Sequence, residues 1–305
     1  MHVRLLGTAA GGGVPQWNCN CLICREARAG TGRVKTRTQS CVAISADKAH
    51  WFLLNASPDL RFQIESFPPL HPPPDRVRGS PIQAVLLTNA DLDHSLGLFQ
   101  LREGERLCIH APESVRRSLE EGLSLSATIE AFGGVQWIEP PSTPAALLCR
   151  TGAESGLFYS KVPLSGAPPR FVKNPGASAD HVVGYRFTDP STGGRLLFLP
   201  DVPAIDTNLQ RLLRDCDLLL LDGTFWAEDE MKQRGAGNLA ASIMGHLPIS
   251  GANGSLEILR SLSARHKIYV HINNTNPILL EDSPEQAAVR AAGCEIGHDG
   301  MEIIV

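Results

Sequence analysis

The sequence lacks the features that mark membrane, secreted or nucleic-acid-binding proteins. No apolar window approaches the length of a membrane span, and the first residues run into glycine instead of a signal core and cleavage site. No long basic or acidic block occurs, and a net charge of -4 gives no reason to expect a nucleic acid. We therefore expect a cytoplasmic protein without membrane insertion.

Disulfides are not expected either, because the eight cysteines of a cytoplasmic chain are more often thiols or metal ligands. Cys19, Cys21 and Cys24 follow the spacing C-x-C-x-x-C, and three thiols this close together can wrap one tetrahedral ion. We predict structural Zn²⁺ in a small Cys-rich loop at about 16–26, with a fourth ligand from elsewhere in the fold. A redox dithiol of Cys21 and Cys24 is the alternative.

Ligand-type side chains follow the apolar run 84–87, which predicts a buried strand. Asn89, Asp91, Asp93 and His94 lie within six positions of each other, and the apolar residues 96–101 after them predict the start of a helix. Carboxylate oxygen and imidazole nitrogen together suit zinc, iron or manganese. A capped turn without any metal is the alternative.

The same arrangement recurs later in the chain, where further apolar runs end in residues that can hold a metal. These residues are Asp201, Asp222 and His271. Because α/β proteins place their sites where strands end on one edge of a sheet, this recurrence favours metal binding over capping.

Five segments carry a resemblance to a known family, and in order they span nearly the whole chain. They are residues 9–21, 88–94, 222–226, 244–248 and 271–279. The motif Asn-x-Asp-x-Asp-His at 89–94 is similar to the metal motif of the metallo-β-lactamase superfamily. The five segments together resemble more closely the family of pyrroloquinoline quinone (PQQ) biosynthesis protein B.

The resemblance implies an α/β fold, the αββα sandwich of the metallo-β-lactamases, as a single domain over residues 1–305 with the metal at one edge between the sheets. Asn89 and Asp91 replace two histidines of the superfamily motif, which speaks against a two-zinc hydrolytic site. The carboxylate-rich set that remains suits non-haem iron and O₂ chemistry.

The resemblance also implies site residues. Catalytic and metal-binding roles fall to Asp91, Asp93, His94 and His271, with Asp201 and His181 as further metal ligands. His246, Asn273 and Asn276 are expected to bind substrate. A related phosphodiesterase branch of the fold takes its fourth zinc ligand three residues after the last active-site histidine, and here that position is Asn274.

The function implied is a step of PQQ biosynthesis, the hydroxylation of the tyrosine ring in a cross-linked Glu-Tyr precursor. The expected cofactors are structural Zn²⁺ and active-site Fe²⁺, with Zn²⁺ or Mn²⁺ as alternatives to the iron, and O₂ is the co-substrate. A carrier that moves PQQ or its precursor toward the periplasm and a zinc-dependent hydrolase are the alternatives. A homodimer and contacts with other PQQ biosynthesis proteins stay open.

Overall fold

The computed structural model describes residues 1–173 and 180–305. The strands, in chain order, are β1 His2–Gly7, β2 Cys41–Ser45, β3 Trp51–Leu54, β4 Ile82–Leu86, β5 Leu107–His110, β6 Val135–Ile138, β7 Ala145–Leu148, β8 Glu154–Leu164, β9 Val182–Thr188, β10 Arg195–Leu199, β11 Leu218–Asp222, β12 His266–Val270, β13 Glu295–Ile296 and β14 Glu302–Ile304.

The α-helices are α1 Leu22–Ala29, α2 Leu60–Glu65, α3 Leu92–Ser95, α4 Glu113–Leu123, α5 Leu125–Glu130, α6 Thr207–Arg214, α7 Glu230–Gln233, α8 Ser255–Arg260 and α9 Pro284–Ala291. Short 3₁₀ helices cover Pro68–Leu70, Leu96–Glu103, Ser242–Met244 and Pro277–Leu279. Within the part of the chain that the structure describes, no helix combines the length and the apolar character needed to span a bilayer.

The chain forms two compact units. Unit 1 comprises Met1–Gly7, Cys41–Arg195 and Gly300–Val305, and unit 2 comprises Thr8–Ser40 and Leu196–Asp299. The single domain over residues 1–305 stays a prediction.

Unit 1 contains a mixed sheet in the order β14-β1-β2-β3-β4-β5-β6. β14, β1, β2 and β3 pair antiparallel, and β3, β4, β5 and β6 pair parallel. The hairpin of β2 and β3 has Val42 opposite Leu54. Every residue of β2, β3, β4 and β5 is buried, which is typical of strands covered on both faces.

The antiparallel strands β7, β8 and β9 also belong to unit 1, and β9 holds the segment that follows β4. The Tyr185 hydroxyl donates to the Leu87 carbonyl at 2.9 Å, and the Val183 N–H donates to the Thr88 carbonyl at 2.8 Å. These two bonds fix the backbone at the exit of β4, where the predicted ligand segment begins.

The helix predicted to start at Leu96 is a 3₁₀ helix over Leu96–Glu103. The Gly97 N–H donates to the Ala56 carbonyl at 2.9 Å, which ties the start of this helix to the segment after β3. A methyl group on Gly97 would lie 2.3 Å from the Ser57 carbonyl oxygen, so this close approach requires glycine.

Unit 2 is built on the parallel strands β10, β11, β12 and β13. β11 is a run of four leucines ending in Asp222, and all five residues are buried. Helix α6 begins with a side-chain cap, because the Asp206 carboxylate accepts the Leu209 N–H at 2.7 Å. Neighbouring parallel strands direct their carboxyl ends to the same edge, and this edge carries the predicted ligands of unit 2.

Candidate metal centre

Three strands of unit 2 deliver acidic and imidazole side chains to one place. Asp201 follows β10, Asp222 ends β11, and His271 follows β12. They are buried, with exposed fractions of 8%, 1% and 4%. The parallel pairing of these strands therefore gathers residues that are far apart in sequence.

His246 joins this group from the segment after the 3₁₀ helix Ser242–Met244. Asp201, His246 and His271 each offer a ligand atom within 4.8 Å of the others, and the two imidazole centroids are 5.5 Å apart. Sequence reasoning assigned His246 to substrate binding, and the structure places it beside the predicted ligands Asp201 and His271.

Asp222 connects the members of this group. One carboxylate oxygen lies 2.8 Å from His246 Nδ1, and the other accepts the Thr224 hydroxyl at 2.7 Å. Burial raises the pKa of Asp222, but the charge of His246 and its hydrogen bond lower it more, and the net pKa is lowered. Burial lowers the pKa of His246, and Asp222 raises it above its usual value. The contact therefore favours the carboxylate form of Asp222 and a proton on His246 Nδ1.

The ligand segment of unit 1 is ordered by short local bonds. Asn89 Oδ1 accepts the Asp91 N–H at 2.9 Å, and Asp93 Oδ2 lies 3.8 Å from His94 Nε2. The His94 ring is fully buried, and its Nδ1 lies 3.1 Å from the Thr88 hydroxyl. Asn89 thus shapes the backbone of this turn.

His181 lies directly before β9 in unit 1, with only 5% of its surface exposed, and burial lowers its pKa. Over residues 1–173 and 180–305, neither His181 nor Asp91 joins a group of three or more ligand-type residues whose ligand atoms lie within 4.8 Å. Their predicted ligand roles stay predictions.

The cysteine cluster lies in unit 2 at the start of α1. Cys19, Cys21 and Cys24 hold their sulfur atoms within 4.8 Å of one another, and the Asn274 amide lies 3.2 Å from Cys24 Sγ. Burial raises the pKa of Cys21 to about 11. Burial also raises the pKa of Cys19. Hydrogen bonds, of which the one from the Cys21 N–H has the largest effect, lower it more, so the pKa of Cys19 is lowered overall. The segment carrying His271 and the cysteine loop therefore meet at Asn274.

Arg28 of α1 braces the cysteine loop. Its guanidinium donates to the Cys19 carbonyl at 2.6 Å and to the Gln16 carbonyl at 2.5 Å. Because charged donors make strong hydrogen bonds, the loop is held at its outer carbonyls as well as at its thiols.

Comparison with known proteins identifies the family. A sequence model described as "Beta-lactamase superfamily domain" matches residues 50–272. "Coenzyme PQQ synthesis protein B" of Azotobacter vinelandii is 45% identical over 99% of both chains, and that of Pseudomonas fluorescens is 40% identical over the full length of both.

The chain belongs to the coenzyme PQQ synthesis protein B family.

A solved structure supports both the fold and this family. It is the PqqB of Methylobacterium extorquens, described as Zn²⁺-bound, which is 38% identical and superposes with a TM-score of 0.91 over all of both chains. The predicted metallo-β-lactamase fold is confirmed. Family membership supports the predicted role in PQQ biosynthesis.

The family assignment leaves the roles of Asn273 and Asn276 as predictions. Asn273 Nδ2 donates to the Thr275 hydroxyl at 2.5 Å. Asn276 is fully buried, and its amide donates to the Gly223 carbonyl at 2.8 Å and accepts the Ile278 N–H at 3.1 Å. In this structure, Asn276 ties the loop after β12 to the loop after β11.

Sequence reasoning missed Thr224, and it named Asp222 only as a strand-end residue that can hold a metal. The Thr224 hydroxyl lies 2.9 Å from His271 Nδ1, so it connects Asp222 with the predicted ligand. The available signal was the sequence Asp-Gly-Thr directly after a run of four leucines, where polar residues leave a buried strand.

Proposed function

We propose that this protein carries out the hydroxylation of the tyrosine ring in the cross-linked Glu-Tyr precursor of PQQ, using iron and O₂. The observation that carries the proposal is the buried group of Asp201, His246 and His271. Two imidazoles and a carboxylate are the donor set typical of non-haem Fe²⁺ oxygenases. The family's place in PQQ biosynthesis supports the choice of substrate.

The donor types fit a transition-metal ion, since all three residues are buried and their ligand atoms lie within 4.8 Å of one another. Asp201, His246 and His271 would hold the ion, and the sequence assigns Asp91, Asp93 and His94 to the same role. Iron in this role would supply O₂ activation. Asn273 and Asn276 are proposed to orient the substrate, and the metal-binding role proposed for His246 replaces the substrate-binding role that the sequence suggested for it.

We also propose that Cys19, Cys21, Cys24 and Asn274 hold structural Zn²⁺. Three thiols within 4.8 Å of one another supply most of a tetrahedral site. The Asn274 amide already contacts Cys24 Sγ, and turning the amide by 180° would direct its carbonyl oxygen to the same place. A dithiol that works by redox chemistry would leave Cys19 without a role.

The test is anaerobic loading with Fe²⁺, followed by addition of precursor, a reductant and O₂. Hydroxylation places one oxygen atom on the ring and reduces the other to water with two electrons from the reductant, so O₂ uptake and a mass gain of one oxygen should match. His271→Ala should abolish both. His50→Ala is the control, because His50 is an exposed turn residue paired with Asp47.

Three results would overturn the proposal. Full hydroxylation by the His271→Ala variant would remove the site from the reaction. Tight binding of PQQ by the metal-loaded protein without turnover would favour the carrier function. Turnover with Zn²⁺ alone and without O₂ uptake would favour a hydrolase.

A further inference from the structure

Asp222 is a buried carboxylate that accepts hydrogen bonds from several groups of unit 2. Oδ1 accepts the Thr224 hydroxyl at 2.7 Å and the Thr224 N–H at 2.9 Å. Oδ2 accepts the Val202 N–H and lies against His246 Nδ1, both at 2.8 Å. Two backbone N–H groups point at it, so Asp222 is held as a carboxylate, which accepts hydrogen bonds and cannot donate them.

The position of one proton follows at Thr224. A hydroxyl has a single proton, and two of the oxygens close to Thr224 Oγ1 can only accept it, Asp222 Oδ1 at 2.7 Å and the His271 carbonyl at 2.8 Å. The Thr224 proton therefore lies between these two acceptors. Toward His271 Nδ1, at 2.9 Å, the Thr224 hydroxyl therefore has only a lone pair to offer.

We infer that Asp222 fixes the tautomer of two histidines, His246 directly and His271 through the Thr224 hydroxyl, so that both carry the proton on Nδ1 and present Nε2 as the ligand nitrogen. Thr224 and Asp222 are positioning residues. The inference rests on the metal-binding role proposed for His271, and it assigns the ring atom that performs this role.

The backbone conformation at His271 also supports a positioning role for Thr224. His271 has φ +54, a left-handed conformation that is uncommon for a residue with a side chain. The Thr224 hydroxyl contacts the His271 carbonyl, and the Thr224 carbonyl accepts the Asn273 N–H at 3.1 Å. Thr224 therefore contacts the ring of His271, its carbonyl and the backbone N–H two residues later, and these contacts hold the ring in one direction.

In unit 1, His94 also contacts a threonine hydroxyl, but no carboxylate fixes the direction of that hydroxyl's proton. His94 Nδ1 lies 3.1 Å from the Thr88 hydroxyl, but the group behind Thr88 is the amide of Asn55. Asn55 Nδ2 donates to the hydroxyl at 3.0 Å, and its Oδ1 accepts the Thr88 N–H at 2.9 Å. An amide supplies both a donor and an acceptor, so it does not dictate the direction of the hydroxyl proton.

The tautomer matters because a neutral imidazole binds a metal through the nitrogen without a proton. Loss of the partner that orients a ligating histidine typically weakens metal binding by about 10–100-fold. The Asp201 carboxylate cannot replace Thr224 as this partner without movement, since its Oδ1 lies 3.6 Å from His271 Nδ1.

The first measurement reads the tautomer without any metal in the proposed active site. Protein labelled with ¹⁵N at histidine and carrying only the cysteine-bound zinc is examined by long-range ¹H–¹⁵N correlation at pH 7.5, with His271 assigned from a His271→Gln spectrum. We expect His271 in the Nδ1–H form, retained in Thr224→Ser and mixed in Thr224→Val. An Nε2–H form in the wild-type protein would overturn the inference, whether or not the valine variant folds.

The second measurement titrates Zn²⁺ alone into the same samples by calorimetry. Thr224→Val should bind the added Zn²⁺ about 10–100-fold more weakly, and Thr224→Ser should restore the affinity. Thr8→Val is the matched control, because the Thr8 hydroxyl also donates to a carboxylate, the half-buried Asp299, at 2.7 Å, and it accepts from Arg37 at 2.9 Å. Equal affinity of the wild-type and Thr224→Val proteins would overturn the inference.

The two measurements separate this inference from the proposed function. A wild-type protein that binds no added Zn²⁺ would contradict the metal-binding role of His271, whereas the tautomer would still be decided by the spectrum. A protein that binds Zn²⁺ tightly with the His271 proton on Nε2 would retain the metal site and lose the role of Asp222 and Thr224.

Discussion

The protonation of Glu230 should make the stability of this protein depend on pH. Glu230 begins α7 with 2% of its surface exposed, and its carboxylate oxygens accept the Thr275 hydroxyl and the Trp226 N–H, both at 2.6 Å. Burial raises the pKa of Glu230 to about 7, and the two hydrogen bonds offset only part of this effect.

The raised pKa of Glu230 determines whether the free energy of unfolding rises or falls with pH. The unfolded chain releases this proton near the ordinary value of 4.5 and the folded protein near 7. The folded state is therefore favoured by this group below pH 4.5, and the contribution is lost as the pH rises toward 7. A shift from 4.5 to about 7 corresponds to about 3 kcal/mol, because one pKa unit is worth about 1.4 kcal/mol.

The assay is urea unfolding of the wild-type protein and Glu230→Gln at several pH values between about 4.5 and 8. The amide of the variant can accept the Trp226 N–H and donate to Thr275, and it does not titrate. As the pH rises across this range, the wild type should lose about 3 kcal/mol of unfolding free energy relative to Glu230→Gln.

Glu257→Gln serves as the control, because the Glu257 side chain is 68% exposed, and its difference from the wild type should stay flat. A flat difference for Glu230→Gln as well would refute the reasoning, since it would mean that Glu230 has the same pKa in the folded and unfolded states.

Three further predictions concern other parts of the chain. Cys24→Ser should remove one equivalent of zinc measured by mass spectrometry of metals, and unchanged zinc content would contradict the proposed structural site. Burial lowers the pKa of His110 to about 4, so its ring signal in proton NMR should titrate near pH 4, and stability should fall as the pH drops from 6.5 toward 4; titration near 6.5 would contradict this. Gly97→Ala should lower the free energy of unfolding by about 1–3 kcal/mol in urea, because the new methyl group would lie 2.3 Å from the Ser57 carbonyl oxygen; an unchanged unfolding midpoint would contradict it.

The sequence determined the local features of this protein. Apolar runs that end in polar ligand-type residues predicted strands such as β4 and β11. A buried strand needs apolar side chains along its length, and this requirement is visible in a short stretch of sequence. The spacing of Cys19, Cys21 and Cys24 predicted a thiol cluster, because residues this close in sequence cannot lie far apart in space. The long matching segments predicted the family, and with it the fold.

Only the tertiary structure decided which distant residues meet. His246 lies beside Asp201 and His271 because the segment after Met244 returns to the edge where the parallel strands β10, β11 and β12 end. The role of Thr224 could not be predicted from the sequence either. It depends on the contacts of its hydroxyl with the Asp222 carboxylate and the His271 imidazole, and the fold brings these two groups together. Spacing along the chain limits local geometry, whereas the direction of a proton depends on partners that strand pairing brings together from separate parts of the sequence.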